Sequence, residues 1–352
     1  MKIDQFDYIL PEHLIGQQAI EPRDSCRLMV LHKKEATIQH YIFSDLVDIL
    51  DKNSVLVLND TKVFPARLRG TKPSGGKTEL LLLKLHSPDS YIAIGKGLKE
   101  RGEINFGSGL TAMVISKDND GEMVIKFNLS GQTLLEKIDQ VGTTPLPHYI
   151  HSQEKETNLR RQYQTIYARE RGSAAAPTAG LHFTGNLFAT LKDKGIQIEK
   201  VTLHVGLGTF RPITDEQIKT KTLHTESFSL SQETAYNLNE AKATGKKIIA
   251  VGTTACRVLE TLSRDNGTIS SGAGETNIFI QPGYKFKFVD SLITNFHLPK
   301  TSLLMLVSAL VSAPNSPTEF QNFLDSPIGL AYQEAVREKY KFFSFGDAML
   351  ID

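Results

Sequence analysis

The stretch at residues 172–210 reads GSAAAPTAGLHFTGNLFATLKDKGIQIEKVTLHVGLGTF, and its pattern predicts a helix followed by a strand. The helix covers residues 187–194, where apolar side chains recur at helical spacing, and Gly195 ends it. The strand covers residues 198–203. Loops rich in Gly, Thr and His lie on both sides of this pair, and such loops let a ligand approach the backbone closely.

The same alternation of helix and strand is found nearer both ends of the chain. Buried strands are predicted at residues 55–58 and 248–251, each beside a helical segment. The pattern between residues 62 and 150 differs, because short strands separated by turns are typical of a small antiparallel barrel or sandwich. We therefore expect a discontinuous α/β domain of residues 1–61 and 151–352, with an all-β domain of residues 62–150 inserted into it.

The composition is that of a soluble globular protein, with 40% hydrophobic and 22% charged residues among 352. The formal net charge is +1, so any contact with RNA would need a local basic patch. We expect no membrane span, because no apolar run reaches the ~18–20 residues required. We expect no secretory signal, because residues 1–15 lack the basic and apolar regions of one. Two distant cysteines, Cys26 and Cys256, fit a reducing cytoplasm and no zinc site.

Histidines on the glycine-flanked loops are candidates for acid–base chemistry near neutral pH. His182 and His204 lie in the two loops that border the helix and strand of residues 172–210. His224 and Glu226 are two residues apart and share one face of a predicted strand. That pair can be a metal pair, an acid–base pair or a surface pair, and no third metal ligand is near it in the sequence.

A further set of polar residues follows buried strands or begins helices, where α/β proteins bind anionic or nucleotide-like ligands. This set comprises Asn59, Asp60, Thr253, Thr254, Arg257, Asn295 and His297. Arginines interleaved with tyrosines make a separate local patch of the kind that holds RNA phosphates and stacks bases. The patch comprises Arg160, Arg161, Tyr163, Tyr167, Arg169 and Arg171.

The chain resembles, essentially from end to end, the S-adenosylmethionine:tRNA ribosyltransferase-isomerases of queuosine biosynthesis. Several long blocks in the same order carry this resemblance, among them LVLNDTKVFP at residues 56–65. The others are residues 23–24, 163–167, 172–183, 202–210, 251–260, 278–284, 289–299 and 342–351. The resemblance implies an α/β barrel-like domain with an inserted small antiparallel β-barrel.

The resemblance also implies a reaction. The family transfers and isomerises the ribosyl part of S-adenosylmethionine onto 7-aminomethyl-7-deazaguanine at the wobble position of tRNA. The products are epoxyqueuosine-tRNA, adenine and methionine, so S-adenosylmethionine is a consumed cosubstrate and no metal or redox cofactor is expected. We accordingly expect tRNA and S-adenosylmethionine as partners, a cytoplasmic location, no membrane and a monomer.

The chemistry defines the catalytic roles. The sulfonium acidifies the 5′ carbon, and a general base must remove a proton there. We assign that base to His204 or His182, and protonation of the departing adenine to Glu226 or His224.

Binding roles are assigned in the same way. Phe183, Phe210 or Tyr284 could stack on adenine, and Arg257 could bind the methionine carboxylate through two hydrogen bonds. The residues predicted to bind S-adenosylmethionine are Phe183, Phe210, Thr253, Thr254, Arg257, Tyr284, Asn295, His297, Asn59 and Asp60. Those predicted to bind tRNA are Arg160, Arg161, Lys62, Arg67 and Lys72.

Two other functions fit parts of the sequence. An S-adenosylmethionine-dependent RNA methyltransferase would share the cosubstrate, but it would normally carry a glycine-rich loop after its first strand, and none follows residues 55–58. A non-catalytic tRNA-binding protein could use the β-domain and the arginine patch, but it would not need the polar loops of the α/β half.

Overall fold

A computed structural model of the chain describes residues 1–118, 121–206 and 213–352. The strands found there are β1 Arg27–His32, β2 Thr37–Ile42, β3 Ser54–Asn59, β4 Thr61–Val63, β5 Arg67–Thr71, β6 Lys77–Ser87, β7 Ser90–Gly95, β8 Glu103–Asn105, β9 Thr111–Lys117, β10 Glu122–Phe127, β11 Glu170–Ser173, β12 Gln197–Leu203, β13 Thr222–Leu230, β14 Lys247–Val251, β15 Gly272–Ile278, β16 Ser291–Asn295 and β17 Ala348–Ile351. The helices are α1 Leu46–Ile49, α2 Gly131–Val141, α3 Glu156–Gln162, α4 Gly185–Asp193, α5 Asp215–Thr220, α6 Gln232–Ala243, α7 Thr253–Leu262, α8 Ser302–Leu310 and α9 Pro327–Arg337.

The larger domain is organised around a mixed sheet with the strand order β15-β13-β12-β3-β14-β16-β17-β1-β2. Its centre is parallel, since β12 pairs with β3, β3 with β14 and β14 with β16 in the same direction. The carboxyl ends of these four strands therefore meet at one edge of the sheet. This is the edge at which open α/β sheets bind ligands.

The central strand β3 shows why the sheet needs helices on both faces. All six of its residues are buried. Val55 and Val57 pack into a core shared with α6, α7 and α8, whereas Leu56 and Leu58 pack into a second core shared with α1 and α4. The period of two sends alternate side chains to opposite faces, and each such burial contributes about 1.5–3 kcal/mol.

The inserted segment forms a closed antiparallel barrel with the strand order β10-β7-β6-β5-β8-β9. Leu68, Leu80, Val114 and Ile125 are among the side chains buried in its core. The prediction of an α/β fold with an inserted small β-barrel is therefore confirmed. The division at residues 62 and 150 stays a prediction.

The expectation that the insertion is all-β is wrong at one place, because residues 131–141 form α2. Leu134 and Ile138 are four residues apart, so they lie on one face of the helix, and both are buried in the core of the barrel. Within the described residues, no helix is long and apolar enough to cross a membrane.

Two features join the barrel to the larger domain. β4 leads into the barrel and pairs in parallel with β11, which follows it, so that Thr61 lies opposite Glu170. Arg171 of β11 donates two hydrogen bonds of 2.8 Å to Asp139 of α2. The ladder therefore fixes the position of the barrel next to the carboxyl edge of the large sheet.

Candidate active site

A cavity of about 110 Å³ lies at the carboxyl edge of the large sheet. Its lining includes residues 252–254, which follow β14, and residues 295–298, which end and follow β16. Residues 175–179, Val205 and Leu303 contribute further parts of the wall. Of the predicted ligand contacts, the structure brings Thr253, Thr254, Asn295 and His297 together here.

Asn295 is the most constrained polar side chain of the cavity. Its Nδ2 lies 3.0 Å from the carbonyl oxygen of Phe343 and 2.9 Å from Nε2 of His182. An amide atom so close to a carbonyl oxygen has to be the nitrogen, so Nδ2 donates both bonds. Oδ1 is buried and has no hydrogen-bond partner in the described parts of the chain.

His182 is a buried structural residue. Because its Nε2 accepts from Asn295, its Nδ1 carries the hydrogen and donates to Sγ of Cys26 at 3.1 Å. Its ring packs 5.2 Å from that of Phe43. Burial lowers the pKa of His182 to about 4 and raises that of the Cys26 thiol, so the pair is neutral. Both ring nitrogens are bonded within the protein, which speaks against a general-base role for His182.

His297 is also buried and neutral, although it does line the cavity. Its Nε2 lies 3.0 Å from Oγ1 of Thr294, and its backbone N–H donates to the hydroxyl of Tyr332. Burial lowers the pKa of His297 to about 3. It can therefore shape the wall of the cavity without bringing charge to it.

We expect acid to destabilise the fold through His182 and His297. Both have an ordinary pKa of 6.5 that falls to about 4 and about 3 on folding. Below pH 6.5 the unfolded chain binds protons that the folded chain does not. The free energy of unfolding should therefore fall by about 1.4 kcal/mol per pH unit for each imidazole, and this loss should be absent above that pH.

Urea unfolding between about pH 7 and about pH 5 measures this slope. A His182→Gln variant should reduce the slope by about 1.4 kcal/mol per pH unit, whereas a matched change at the exposed His151, His151→Gln, should leave it unchanged. A slope that His182→Gln does not alter would contradict the buried neutral state.

His204 directly follows β12 at the carboxyl edge of the large sheet. Leu203 and Val205 point into the core, whereas the half-buried ring of His204 places Nδ1 2.8 Å from Oγ1 of Thr61. Nε2 has no partner among the described residues. Burial is the main cause that lowers the pKa of His204, and the nearby Glu170 and Asp60 partly oppose it. The ring is therefore neutral at pH 7, and in the tautomer whose Nδ1–H donates to Thr61, Nε2 is the nitrogen that can accept a proton.

Gly172 is required beside this ring. A Cβ at this position would lie 2.8 Å from Cε1 and 2.9 Å from Nδ1 and Nε2 of His204. The glycine therefore allows the ladder of β4 and β11 to lie directly against the imidazole. The sequence placed Thr61 in a polar cluster with Asn59, Asp60 and Lys62 at the end of a buried strand, but it did not indicate that Thr61 or Gly172 would contact the ring of His204.

Asn59 and Asp60 hold this edge of the sheet together. Oδ1 of Asn59 accepts from the backbone of Thr61 and Leu203, and its Nδ2 donates to the Leu203 carbonyl and to Oγ1 of Thr254. Asp60 accepts a bond of 2.7 Å from Thr202. The amide of Asn59 uses both of its donors and both of its acceptor positions within the protein, which favours a positioning role over direct ligand contact.

Glu226 and Arg257 form a buried ion pair beside a second cavity of about 20 Å³. Oε1 of Glu226 also accepts from the backbone N–H of Gly206 at 3.0 Å. His224 lines this smaller cavity, and Leu303 separates it from the larger one by lining both. Nε and Nη2 of Arg257 have no partner among the described residues.

The arrangement around this ion pair bears on the roles predicted for Glu226, Arg257 and His224. An ion-paired carboxylate offers acceptor oxygens rather than a proton, which speaks against Glu226 as the acid for adenine. Arg257 lies outside the larger cavity, so the structure does not bring it to the polar groups that line that cavity. His224 remains a candidate acid, since it is half-buried at the smaller cavity.

The aromatic predictions fare differently. Phe183 is completely buried, with ring centroids of Phe43 and Phe188 at 5.0 and 4.8 Å, so the structure contradicts stacking on a base. Tyr284 donates to Glu260 at 3.0 Å and lines neither cavity described above, so its stacking on adenine stays a prediction. Phe210 lies outside the described residues.

The predicted tRNA contacts divide into two groups. Three of them bond within the protein: Arg160 pairs with Glu156, Arg67 pairs with Glu79, and Lys72 donates to the Gly97 carbonyl. Arg161 is 67% exposed, with Glu21 at 3.5 Å, and Lys62 is exposed on β4 next to Thr61. Arg169 is 70% exposed near the same ladder, where it reaches Asp60 and Glu170. In the described part of the chain, no group of three or more metal-ligating side chains is found.

Comparison with known proteins identifies the family. The model of a family described as queuosine biosynthesis protein matches residues 3–351. The chain belongs to this family. The resemblance predicted from the sequence is therefore confirmed.

Two curated relatives and one solved structure are similar to this chain over its full length or nearly so. Two curated proteins from strains of Clostridium kluyveri, named S-adenosylmethionine:tRNA ribosyltransferase-isomerase, are each 48% identical over 356 residues, which cover 100% of both chains. A crystal structure of S-adenosylmethionine tRNA ribosyltransferase from Thermotoga maritima is 35% identical. It covers 99% of this chain and 100% of its own, with a TM-score of 0.55.

Proposed function

We propose that this chain is an S-adenosylmethionine:tRNA ribosyltransferase-isomerase. It transfers and isomerises the ribosyl moiety of S-adenosylmethionine onto 7-aminomethyl-7-deazaguanine at the wobble position of tRNA, and it releases adenine and methionine. The observation that carries this proposal is the 48% identity over the full length to relatives of that name. The proposed reaction takes place in the cytoplasm and consumes S-adenosylmethionine without a metal or redox cofactor.

The general base of this proposal is His204. The reaction needs a group that removes a proton from the 5′ carbon, which the adjacent sulfonium acidifies. A neutral imidazole with one unbonded nitrogen suits that task near pH 7. Thr61 and Gly172 support the role, since they fix the orientation of the ring from two sides.

The tRNA side of the proposal rests on exposed cations near this imidazole. Lys62 follows Thr61 directly, and Arg169 precedes Glu170, the residue that pairs with Thr61 in the ladder. Arg161 extends the positive surface from α3. Cations next to the base would bind the phosphates of the anticodon loop and bring the wobble nucleotide to His204.

Charge reversal at two of these residues should weaken tRNA binding and its salt dependence. We expect Lys62→Glu and Arg161→Glu each to reduce the slope of log K against the logarithm of the salt concentration by about 0.7–0.9 for every phosphate that the side chain no longer neutralises. Lys52→Glu is the matched control, because Lys52 is exposed just before β3, at the amino edge of the sheet. Slopes that equal those of the control would contradict the proposed tRNA surface.

Product analysis tests the activity itself. The chain is incubated with S-adenosylmethionine and tRNA that carries 7-aminomethyl-7-deazaguanine, and the small products are separated. Release of adenine and methionine in equal amounts supports the proposal. Formation of S-adenosylhomocysteine would make the chain a methyltransferase, and tight tRNA binding without any product would leave a binding protein.

A further inference from the structure

The larger cavity contains a helix N-terminus that no side chain caps. α7 has ten residues, and its N-cap, Gly252, has a φ of +88° and no side chain to accept from the first turn. Gly252, Thr253 and Thr254 all line the cavity. The N–H groups of a first turn attract an anion, and a carboxylate is among the groups that bind there.

Asn295, which lines the same cavity, has an acceptor without a partner among the described residues. Asn295 is 3% exposed, and its Nδ2 is held by His182 and the Phe343 carbonyl. Its Oδ1 has no partner among the described residues, and such a buried acceptor costs free energy unless a donor reaches it. An ammonium group is a donor of the required kind.

The remaining lining fits a ligand end that is polar at one side and apolar along its length. Among the described residues that form the wall, none is Asp, Glu, Lys or Arg, so no side chain there compensates a net charge. Leu298, Leu303 and Val205 offer apolar contacts. The volume of about 110 Å³ is smaller than the roughly 300 Å³ of a pocket that holds a whole ligand.

We propose that this cavity binds the amino-acid end of S-adenosylmethionine, with the α-carboxylate at the N-terminus of α7 and the α-ammonium at Oδ1 of Asn295. The inference rests on the proposed function and deepens it, because the released methionine leaves from the same place. The two charges of the zwitterion meet a donor site and an acceptor site in a wall without charged side chains. The carboxylate is thereby assigned to α7 instead of Arg257, whose charge Glu226 already compensates.

The test measures binding to the full chain by calorimetry without tRNA. S-adenosylmethionine should bind about tenfold or more tightly than decarboxylated S-adenosylmethionine, and L-methionine should compete where 3-(methylthio)propylamine and 4-(methylthio)butanoate do not. Equal binding of the decarboxylated compound, or competition by adenine instead of L-methionine, would overturn the assignment.

A variant pair makes the test independent of folding defects. Thr254→Asp adds a negative charge to the first turn of α7, which favours the helix but repels a carboxylate. We expect it to keep the unfolding midpoint and to lose tenfold or more in affinity for S-adenosylmethionine, while Thr254→Ser keeps that affinity. Unchanged affinity of Thr254→Asp would overturn the inference.

Failure of this inference and of the proposed function can be told apart. Adenine release from S-adenosylmethionine and tRNA, with no discrimination against the decarboxylated compound, refutes the subsite and leaves the activity standing. Discrimination without any adenine release supports the subsite and refutes the activity.

Discussion

Replacing His204 by Asn is expected to lower kcat by about 10²- to 10⁴-fold, the contribution of a positioned general base. The amide can keep a hydrogen bond to Thr61, and it occupies much of the volume of the ring, so the fold and the affinity for tRNA should be retained. Adenine release under saturating substrates measures kcat. His151→Asn serves as the control, because His151 is exposed on the surface.

The pH profile gives a second measure of the same role. The base acts in its neutral form, and burial lowers the pKa of His204. The kcat/KM of the unaltered chain should therefore rise with pH along an acidic limb whose midpoint lies below the ordinary 6.5, and it should be level at neutral pH. A midpoint above the ordinary value, or near-normal turnover of His204→Asn, would contradict the assignment.

Gly172→Ala tests the orientation of the ring without removing it. The added Cβ would lie within 2.9 Å of three ring atoms, so the imidazole has to move. We expect a large loss of kcat with little change in the affinity for S-adenosylmethionine. Gly185→Ala is the matched control, since a Cβ there meets nothing within 4 Å.

Replacing Arg257 by Met is expected to lower the free energy of unfolding by about 3–5 kcal/mol. The change leaves the carboxylate of Glu226 buried without its guanidinium partner, and both side chains are less than 10% exposed. The double variant with Glu226→Gln removes the carboxylate that has lost its contact with Arg257, and it should recover part of the loss. The thermal midpoint of the larger domain follows these changes.

The control for these variants of the ion pair is Arg337→Met. Arg337 pairs with Glu334 on the surface of α9, where its side chain is 71% exposed, and exposed pairs contribute about 0–1 kcal/mol. The single variants Arg257→Met and Glu226→Gln are measured beside the double variant. If their losses of unfolding free energy simply add in the double variant, Arg257 and Glu226 do not stabilise the fold as a pair.

The strands and helices of the α/β half could be predicted because local patterns determine them. Residues 55–58 have the continuous apolar sequence of a strand buried in a parallel sheet, and they became part of β3. Residues 198–203 follow a helix that Gly195 ends, and they became part of β12. α2 was missed, although Leu134, Ile138 and Val141 recur at the spacing of one helical face, because the turn signals around it resemble those between strands.

The site could be predicted only in part, because its contacts join residues far apart in the sequence. His182 and His204 occupy similar glycine-flanked loops, and composition gives no means to separate them. They differ in what packs against each ring: Cys26, 156 residues away, closes one nitrogen of His182, whereas Thr61, 143 residues away, leaves the other nitrogen of His204 available. The ion pair of Glu226 and Arg257 was missed for the same reason.

Isotope tracing tests the central claim most directly. S-adenosylmethionine labelled with ¹³C at every ribose carbon is incubated with the chain and with tRNA that carries 7-aminomethyl-7-deazaguanine, and the tRNA is digested for nucleoside mass analysis. Ribosyl transfer predicts that all the labelled carbons appear in the modified tRNA nucleoside, while the released adenine and methionine stay unlabelled. Label that remains on an adenosine product, with unlabelled tRNA nucleosides, would contradict the account.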